Sequence, residues 1–163
     1  MPLEEENEER FFVDAMLGNI ARKLRLMGYD SRYLADIGDD ELIKLAKNDK
    51  RIIISRDEDL IRKAIKYGVK SIFIKNKKEI EQFREIINKL NLKIIKINGD
   101  RSRCPKCNSQ TEPINKKNIY KKIPDKVLEY NDKFWECKAC DKIFWEGTHI
   151  KNLQEFVGEL NER

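Results

Sequence analysis

Every cysteine of the 163-residue chain falls in one of two identical spacings, Cys104-Pro105-Lys106-Cys107 and Cys137-Lys138-Ala139-Cys140. Each C-x-x-C turn presents two soft thiolates from one tight loop, and two such turns close a tetrahedral site of the structural zinc kind. With four protein ligands the metal has no open position for a catalytic water, so its expected role is to hold a fold together. The surrounding segment needs that staple. From Arg101 to Lys126 there are eight basic and two acidic residues, three prolines and little helical periodicity. A module of about 45 residues with so few apolar groups buries too little surface to fold unaided. The 29 residues between the pairs imply an insertion in the hairpin joining the two knuckles of a zinc ribbon. Two disulfides and a redox C-x-x-C are the alternatives. An intracellular setting weighs against the first, and the duplication against the second.

The chain before the cysteines has a different texture. Arg51-Ile52-Ile53-Ile54-Ser55 is a continuous β-branched run of the kind buried on both faces of a parallel sheet. Further short strands are expected at Phe11–Val13, Tyr29–Leu34, Ser71–Ile74 and Leu92–Ile97. Helical patterns separate them: Gly18–Met27 with Ile20, Leu24 and Met27 on one face, then segments opening at Asp39 or Asp40, at Asp57 and at Lys77. Gly28 and Gly68 are placed to stop two of these helices. Strand–helix alternation at this spacing predicts an α/β domain with a mostly parallel sheet over residues 11–98. Residues 99–149 read as the ribbon, and 150–163 as a C-terminal helix carrying Leu153, Phe156, Val157 and Leu160.

Charge and composition narrow the chemistry. Residues 1–10 carry five Glu and one Arg, leaving +9 on the other 153 residues of a chain with net charge +5. That acidic tail is expected to be disordered, and it is unlike a signal peptide. No apolar run approaches the roughly 20 residues of a membrane span, so a cytoplasmic protein without membrane association is expected. A body basic in patches suits a polyanionic partner. A single histidine, His149, restricts triad chemistry, and neither standard glycine-rich nucleotide loop occurs.

The carboxylates are the remaining candidates. Asp14 follows the first strand, Asp39 and Asp40 open the helix after the second, and Asp57 and Asp59 follow the third. Each one alone also reads as a helix cap. Together they fall in loops at the carboxyl ends of parallel strands, which converge on one edge. Like charges gathered there call for divalent cations, and a carboxylate site holding Mg²⁺ or Mn²⁺ can activate water for attack on a phosphodiester. An Asp-nucleophile phosphatase built on Asp57-x-Asp59 fits less well, because Ser55-Arg56 separates strand from acid.

The run from Phe12-Val13-Asp14-Ala15-Met16-Leu17-Gly18-Asn19-Ile20-Ala21-Arg22-Lys23-Leu24-Arg25 to Asp30 resembles the opening of the Mut-7 C-terminal RNase domain family. The likeness continues through Asp39-Asp40-Glu41-Leu42, Ile53-Ile54-Ser55-Arg56-Asp57, Arg103-Cys104-x-x-Cys107-Asn108, Cys137-x-x-Cys140 and Phe144-Trp145-Glu146-Gly147-Thr148-His149. It implies a PIN-like nuclease sheet followed by a zinc ribbon, with Asp14, Asp39 and Asp57 as catalytic acids and Asp59 as a further candidate. Asp40 is the alternative to Asp39, and Ser55 stands where the family often has Thr. The resulting expectation is a Mg²⁺- or Mn²⁺-dependent endoribonuclease with structural zinc on Cys104, Cys107, Cys137 and Cys140, acting on RNA, with ribosomal or transfer RNA among the candidates. The rival is a noncatalytic RNA- or ribosome-binding protein on the same fold.

For RNA contact, Arg22 and Arg25 lie off the apolar stripe of their helix and are candidates to hold phosphates. Lys117, Lys121 and Lys122 surround Tyr120, a pattern suited to backbone contact plus a stacked base. A solvated helix face and a soluble loop are the competing readings. Trp135, Phe144 and Trp145 are expected to form the ribbon's small core.

Overall fold

The computed structural model describes residues 9–92 and 97–162. Its first elements alternate: β1 (Phe11–Val13), α1 (Gly18–Leu26), β2 (Ser31–Tyr33), α2 (Asp39–Asn48), β3 (Ile52–Ser55), α3 (Glu58–Lys66), β4 (Ser71–Phe73) and α4 (Glu79–Leu90). The four strands make one parallel sheet in the order β2-β1-β3-β4. Side chains alternate across it, as pleated geometry requires. Phe11, Val13, Ile52, Ile54 and Ile72 meet Ile20 and Leu24 of α1 and Phe83 and Ile86 of α4 on one face. Phe12 and Ile53 meet Leu42, Ala46, Leu60 and Ala64 of α2 and α3 on the other. Covering both faces is why Ile52, Ile53 and Ile54 of β3 are all apolar. The strand expected over Leu92–Ile97 falls largely on residues 93–96, outside the described residues, as do residues 1–8 of the acidic tail. Among the described residues no helix is long and apolar enough to cross a membrane.

The second module is a three-stranded antiparallel sheet, β5 (Glu112–Ile114), β6 (Phe134–Cys137) and β7 (Lys142–Trp145), in the order β5-β6-β7. The long insertion is folded. It contains the helix α5 (Asp125–Tyr130), and Ile119, Ile123 and Leu128 pack on Phe134 with Trp145 beside them. Trp135 faces the other way, as its place between Phe134 and Glu136 demands. It is buried, donates from Nε1 to Asp100 Oδ1 at 2.9 Å, and lies flat on Gly99, where a Cβ would come within 2.3 Å of the indole. The aromatic core expected for the ribbon is therefore divided: Phe134 and Trp145 serve the ribbon, and Trp135 anchors it to the preceding turn.

The chain then returns to the first sheet. The last helix, α6 (Thr148–Asn161), begins earlier than the apolar pattern suggested. Phe156 stacks edge-on against Phe83 at 5.3 Å, and Leu160 enters the core beneath α1 and α4. Gln154 holds both the amide and the carbonyl of Ile97.

A polar seam fastens the first knuckle to the start of β2. Asn108 accepts from Ser31 N at 2.9 Å and donates to Asp30 Oδ1 at 2.6 Å. Arg51, almost fully buried, donates to the same carboxylate at 2.6 Å and to Phe11 O at 3.2 Å. Arg25 corrects the sequence reading. It was expected on the open side of α1, yet it is only 5% exposed. Its guanidinium donates to Ser31 O and to Pro105 O, both at 2.8 Å, so it joins α1, β2 and the knuckle and has no face left for a phosphate. Gly28 makes this approach possible: its φ is +100°, and a Cβ there would stand 3.0 Å from Arg101 O.

Burial raises the Asp30 carboxyl, but hydrogen bonds from Arg51 and Asn108 and the charges of Arg51 and Arg103 hold it down at about 2. A depressed carboxylate contributes stability above its unfolded value, lost as pH falls through the folded value. Asp30 should therefore supply about 2 kcal/mol near neutrality that disappears between about pH 4 and pH 2. Urea unfolding of wild type and Asp30→Asn across that range should show a gap at neutral pH that closes on acidification.

Candidate functional site

Because all four strands run the same way, the segments leaving them open at one edge of the sheet. Asp14 leaves β1, Asp39 begins α2 after β2, and Asp57 leaves β3. The cap reading holds for one of the three. Asp57 caps α3, with Oδ1 accepting from Asp59 N at 3.0 Å and from Leu60 N at 3.3 Å. Asp14 makes no capping bond to the short 3₁₀ turn it precedes. Asp39 is already inside the first turn of α2, whose cap is Gly38.

Ser55 links two of these acids. Fully buried at the end of β3, its Oγ donates to Asp14 Oδ2 at 2.7 Å and accepts from Asp57 N at 2.9 Å. Asp14 Oδ1 and Asp57 Oδ2 carry no hydrogen bond among the described residues. The sequence treated Ser55 only as a departure from a family pattern. A hydroxyl closing an otherwise apolar buried strand was the signal that it holds something in place.

Asp39 feels both neighbours. Its carboxyl is raised above the ordinary range, by partial desolvation and then by the negative charges of Asp57 and Asp14, while Lys63 acts the other way. Asp40 is occupied elsewhere, in an ion pair with Lys63 of α3. Asp59 points outward, 93% exposed and within 3.9 Å of Arg62. Asp39 thus lies within electrostatic reach of both Asp14 and Asp57.

The four cysteine sulfurs are brought together more tightly. All lie within 4.8 Å of one another, with Cys104 and Cys140 Sγ 3.9 Å apart and Cys107 and Cys137 Sγ 3.5 Å apart. A tetrahedron with metal–sulfur bonds of about 2.3 Å has edges of about 3.8 Å. The close pairs run between the knuckles, not within them, and all four thiols are free. Desolvation works against ionisation of Cys107, yet hydrogen bonds from Ser109 and the neighbouring thiols bring it to about 6. This cluster can hold a zinc ion. No other set of three or more candidate ligands is this compact among the described residues.

Of the expected RNA contacts, Arg22, Lys117, Lys121 and Lys122 are exposed, and Lys121 Nζ lies 5.7 Å from the ring of Tyr120, itself 58% exposed. Ile119, buried between them and α5, fixes that loop to the ribbon. His149 is exposed in the first turn of α6.

The raised Asp39 makes a signed prediction for the metal-free protein. A carboxyl raised in the folded state contributes stability at low pH that is lost as pH rises through the folded value. In EDTA, Asp39→Asn should match or exceed wild type in melting temperature near neutrality, with the advantage vanishing in acid. Ser55→Ala, which leaves Asp57 N and Asp14 without their shared partner, should instead lose about 1–3 kcal/mol.

No curated protein and no solved structure matches this chain. The family model of the Mut7-C RNAse domain does match it, over residues 9–157, which takes in the acidic edge, the docking seam and both cysteine pairs. The chain therefore belongs to the Mut7-C RNAse domain family.

Proposed function

We propose that this protein is a metal-dependent endoribonuclease whose reaction takes place at the acidic edge of the parallel sheet. The observation that carries the reading is the convergence of Asp14, Asp39 and Asp57, from three separate segments, on one edge of the sheet, where Asp39 is raised by desolvation and by the charges of the other two. Such repulsion is costly unless a cation offsets it. Hard oxygen donors in a half-open site suit Mg²⁺ or Mn²⁺, with water completing the coordination.

Asp14, Asp39 and Asp57 would hold the ion. When bound, it would supply Lewis-acid stabilisation of phosphate charge and lower the pKa of an attacking water. Ser55 keeps Asp14 oriented by donating to one of its oxygens and leaves the other toward the site. Asp57 is held by its capping bonds, so both acids are placed by buried or helical backbone and not by flexible side chains alone. Asp59 is an outer candidate, suited to a water-mediated contact. Zinc on Cys104, Cys107, Cys137 and Cys140 would be structural, and Lys117, Tyr120, Lys121, Lys122 and Arg22 would supply outlying RNA contacts.

Two measurements test this reading. Protein purified without added metal should contain about one zinc per chain, as a four-thiolate site requires; Cys137→Ser should release it. Asp14→Asn should abolish Mn²⁺-dependent cleavage of single-stranded or structured RNA and retain the wild-type melting temperature in EDTA. Zinc-loaded wild type that binds RNA but cuts none of it, or an Asp14→Asn variant that cuts at the wild-type rate, would leave a noncatalytic RNA-binding protein as the better account.

A further inference from the structure

The acidic edge has a basic neighbour that lies far from the ribbon in sequence. In the parallel pair β3–β4, Ser55 stands opposite Phe73, and Ile74 N donates to Ser55 O at 2.8 Å. Counting two residues onward on each chain reaches Asp57 on one side and Lys75 on the other. The segment Lys75-Asn76-Lys77-Lys78 therefore leaves the sheet at the same edge as the three acids, beside the strand that delivers Asp57. All four of its residues are exposed.

The loop is built, not slack. Glu85 of α4 accepts from Lys75 N at 3.0 Å, from Asn76 N at 3.1 Å and from the Asn76 side chain. Gln82, buried at 6% exposure, donates to Asn76 O at 2.9 Å. The backbone is fixed while the lysine side chains are left outside. The nearby carboxylates are already committed: Glu79 pairs with Lys23, Glu81 with Arg84, and Glu85 with the loop itself. Among the described residues no ion pair reaches Lys75, Lys77 or Lys78. Three ammonium groups with no ion pair among the described residues thus stand on a fixed loop at the sheet edge that carries the three acids.

The physical problem this arrangement answers is clear. A polyanion approaching three carboxylates is repelled, and an ion held by them would offset only local charge. Cations on the flank supply the attraction, and a prearranged loop loses little entropy when the ligand arrives. The first knuckle cannot provide this at the same place. It is fastened through Asn108, Ser31 and Asp30 to the start of β2, the opposite end of the strands.

We infer that Lys75, Lys77 and Lys78 form a phosphodiester-backbone binding site that holds single-stranded RNA across the acidic edge. The inference rests on the nuclease reading for the identity of the ligand, and its test separates the two. Lys75→Ala/Lys77→Ala/Lys78→Ala is compared with wild type and with a charge-matched control, Lys47→Ala/Lys66→Ala/Lys70→Ala, whose residues lie toward the far edge of the sheet. The probe is a fluorescein-labelled mixed-sequence single-stranded RNA, titrated in Ca²⁺ over a range of salt and then cleaved in Mn²⁺. Three lost phosphate contacts should flatten the log–log salt dependence by about 2 and weaken binding tenfold or more. KM should rise with kcat within about twofold, and the melting temperature should stay at the wild-type value, since the side chains are exposed. The control should keep the wild-type slope. If the wild type cuts and the loop variant binds with wild-type affinity and slope, the loop site is overturned and the nuclease stands. If the wild type binds without cutting and only the loop variant loses affinity, the loop site stands and the nuclease reading falls. Equal losses in loop variant and control would reduce the effect to net charge and overturn the site, and no binding by wild type would overturn both.

Discussion

The structure depends on one constraint: a β3 strand apolar on both faces must be covered on both. Ile52 and Ile54 on one side and Ile53 on the other leave no surface for water, so helices have to pack above and below. Parallel strands joined by helical crossovers are the solution that satisfies this demand. Their common direction follows, and with it the gathering of all outgoing segments at one edge. The acidic group is a product of that direction. Asp14, Asp39 and Asp57 are separated by 25 and 18 positions in the chain and meet only because their strands point the same way.

Both ends of the sheet are put to use. At the outgoing end, Ser55 joins the two acids next to it, and α3 begins on an aspartate that keeps one oxygen free. At the incoming end, Asp30 collects charge from Arg51, Arg10 and Arg103 and accepts a hydrogen bond from Asn108 of the knuckle. The buried arginines have different tasks. Arg51 closes the incoming end of β1 and β3, and Arg25 inserts between the strand and the knuckle carbonyls. Breaking such a pair by removing one partner is expensive, because the other is left buried and charged. The four-cysteine cluster is thereby tied to the α/β body through polar groups, while Trp135 on Gly99 and α6 against α4 supply the apolar contacts.

The ribbon also shows how a long insertion becomes part of a fold. The 29 residues between the cysteine pairs could have remained a solvated loop, but Ile119, Ile123 and Leu128 give them an inner side against Phe134. Lysines and Tyr120 are left on the outer side. That division places cations at the surface of a fixed scaffold, as Glu85 and Gln82 do for the loop after β4 by other means.

Much of this was legible in the chain. The β-branched run identified a two-sided strand, the period of Ile20 and Leu24 identified the buried face of α1, and the paired C-x-x-C turns identified the four-sulfur cluster, because each is a local pattern with a local physical cause. Periodicity misjudged Arg25, since a position off the apolar stripe of a helix is exposed only if nothing else covers it, and here the knuckle does. The choice between Asp39 and Asp40 was likewise beyond the sequence: adjacent aspartates look alike until one is paired with Lys63 and the other placed near Asp14 and Asp57. Ser55 acquired its two bonds, and Lys75 its place beside Asp57, through strand register, which no single segment encodes. The sequence determined the alternating strands and helices of the first domain and the paired C-x-x-C turns; the tertiary structure alone decided which side chains meet, because electrostatic coupling and hydrogen bonding depend on distances across the sheet and not along the chain.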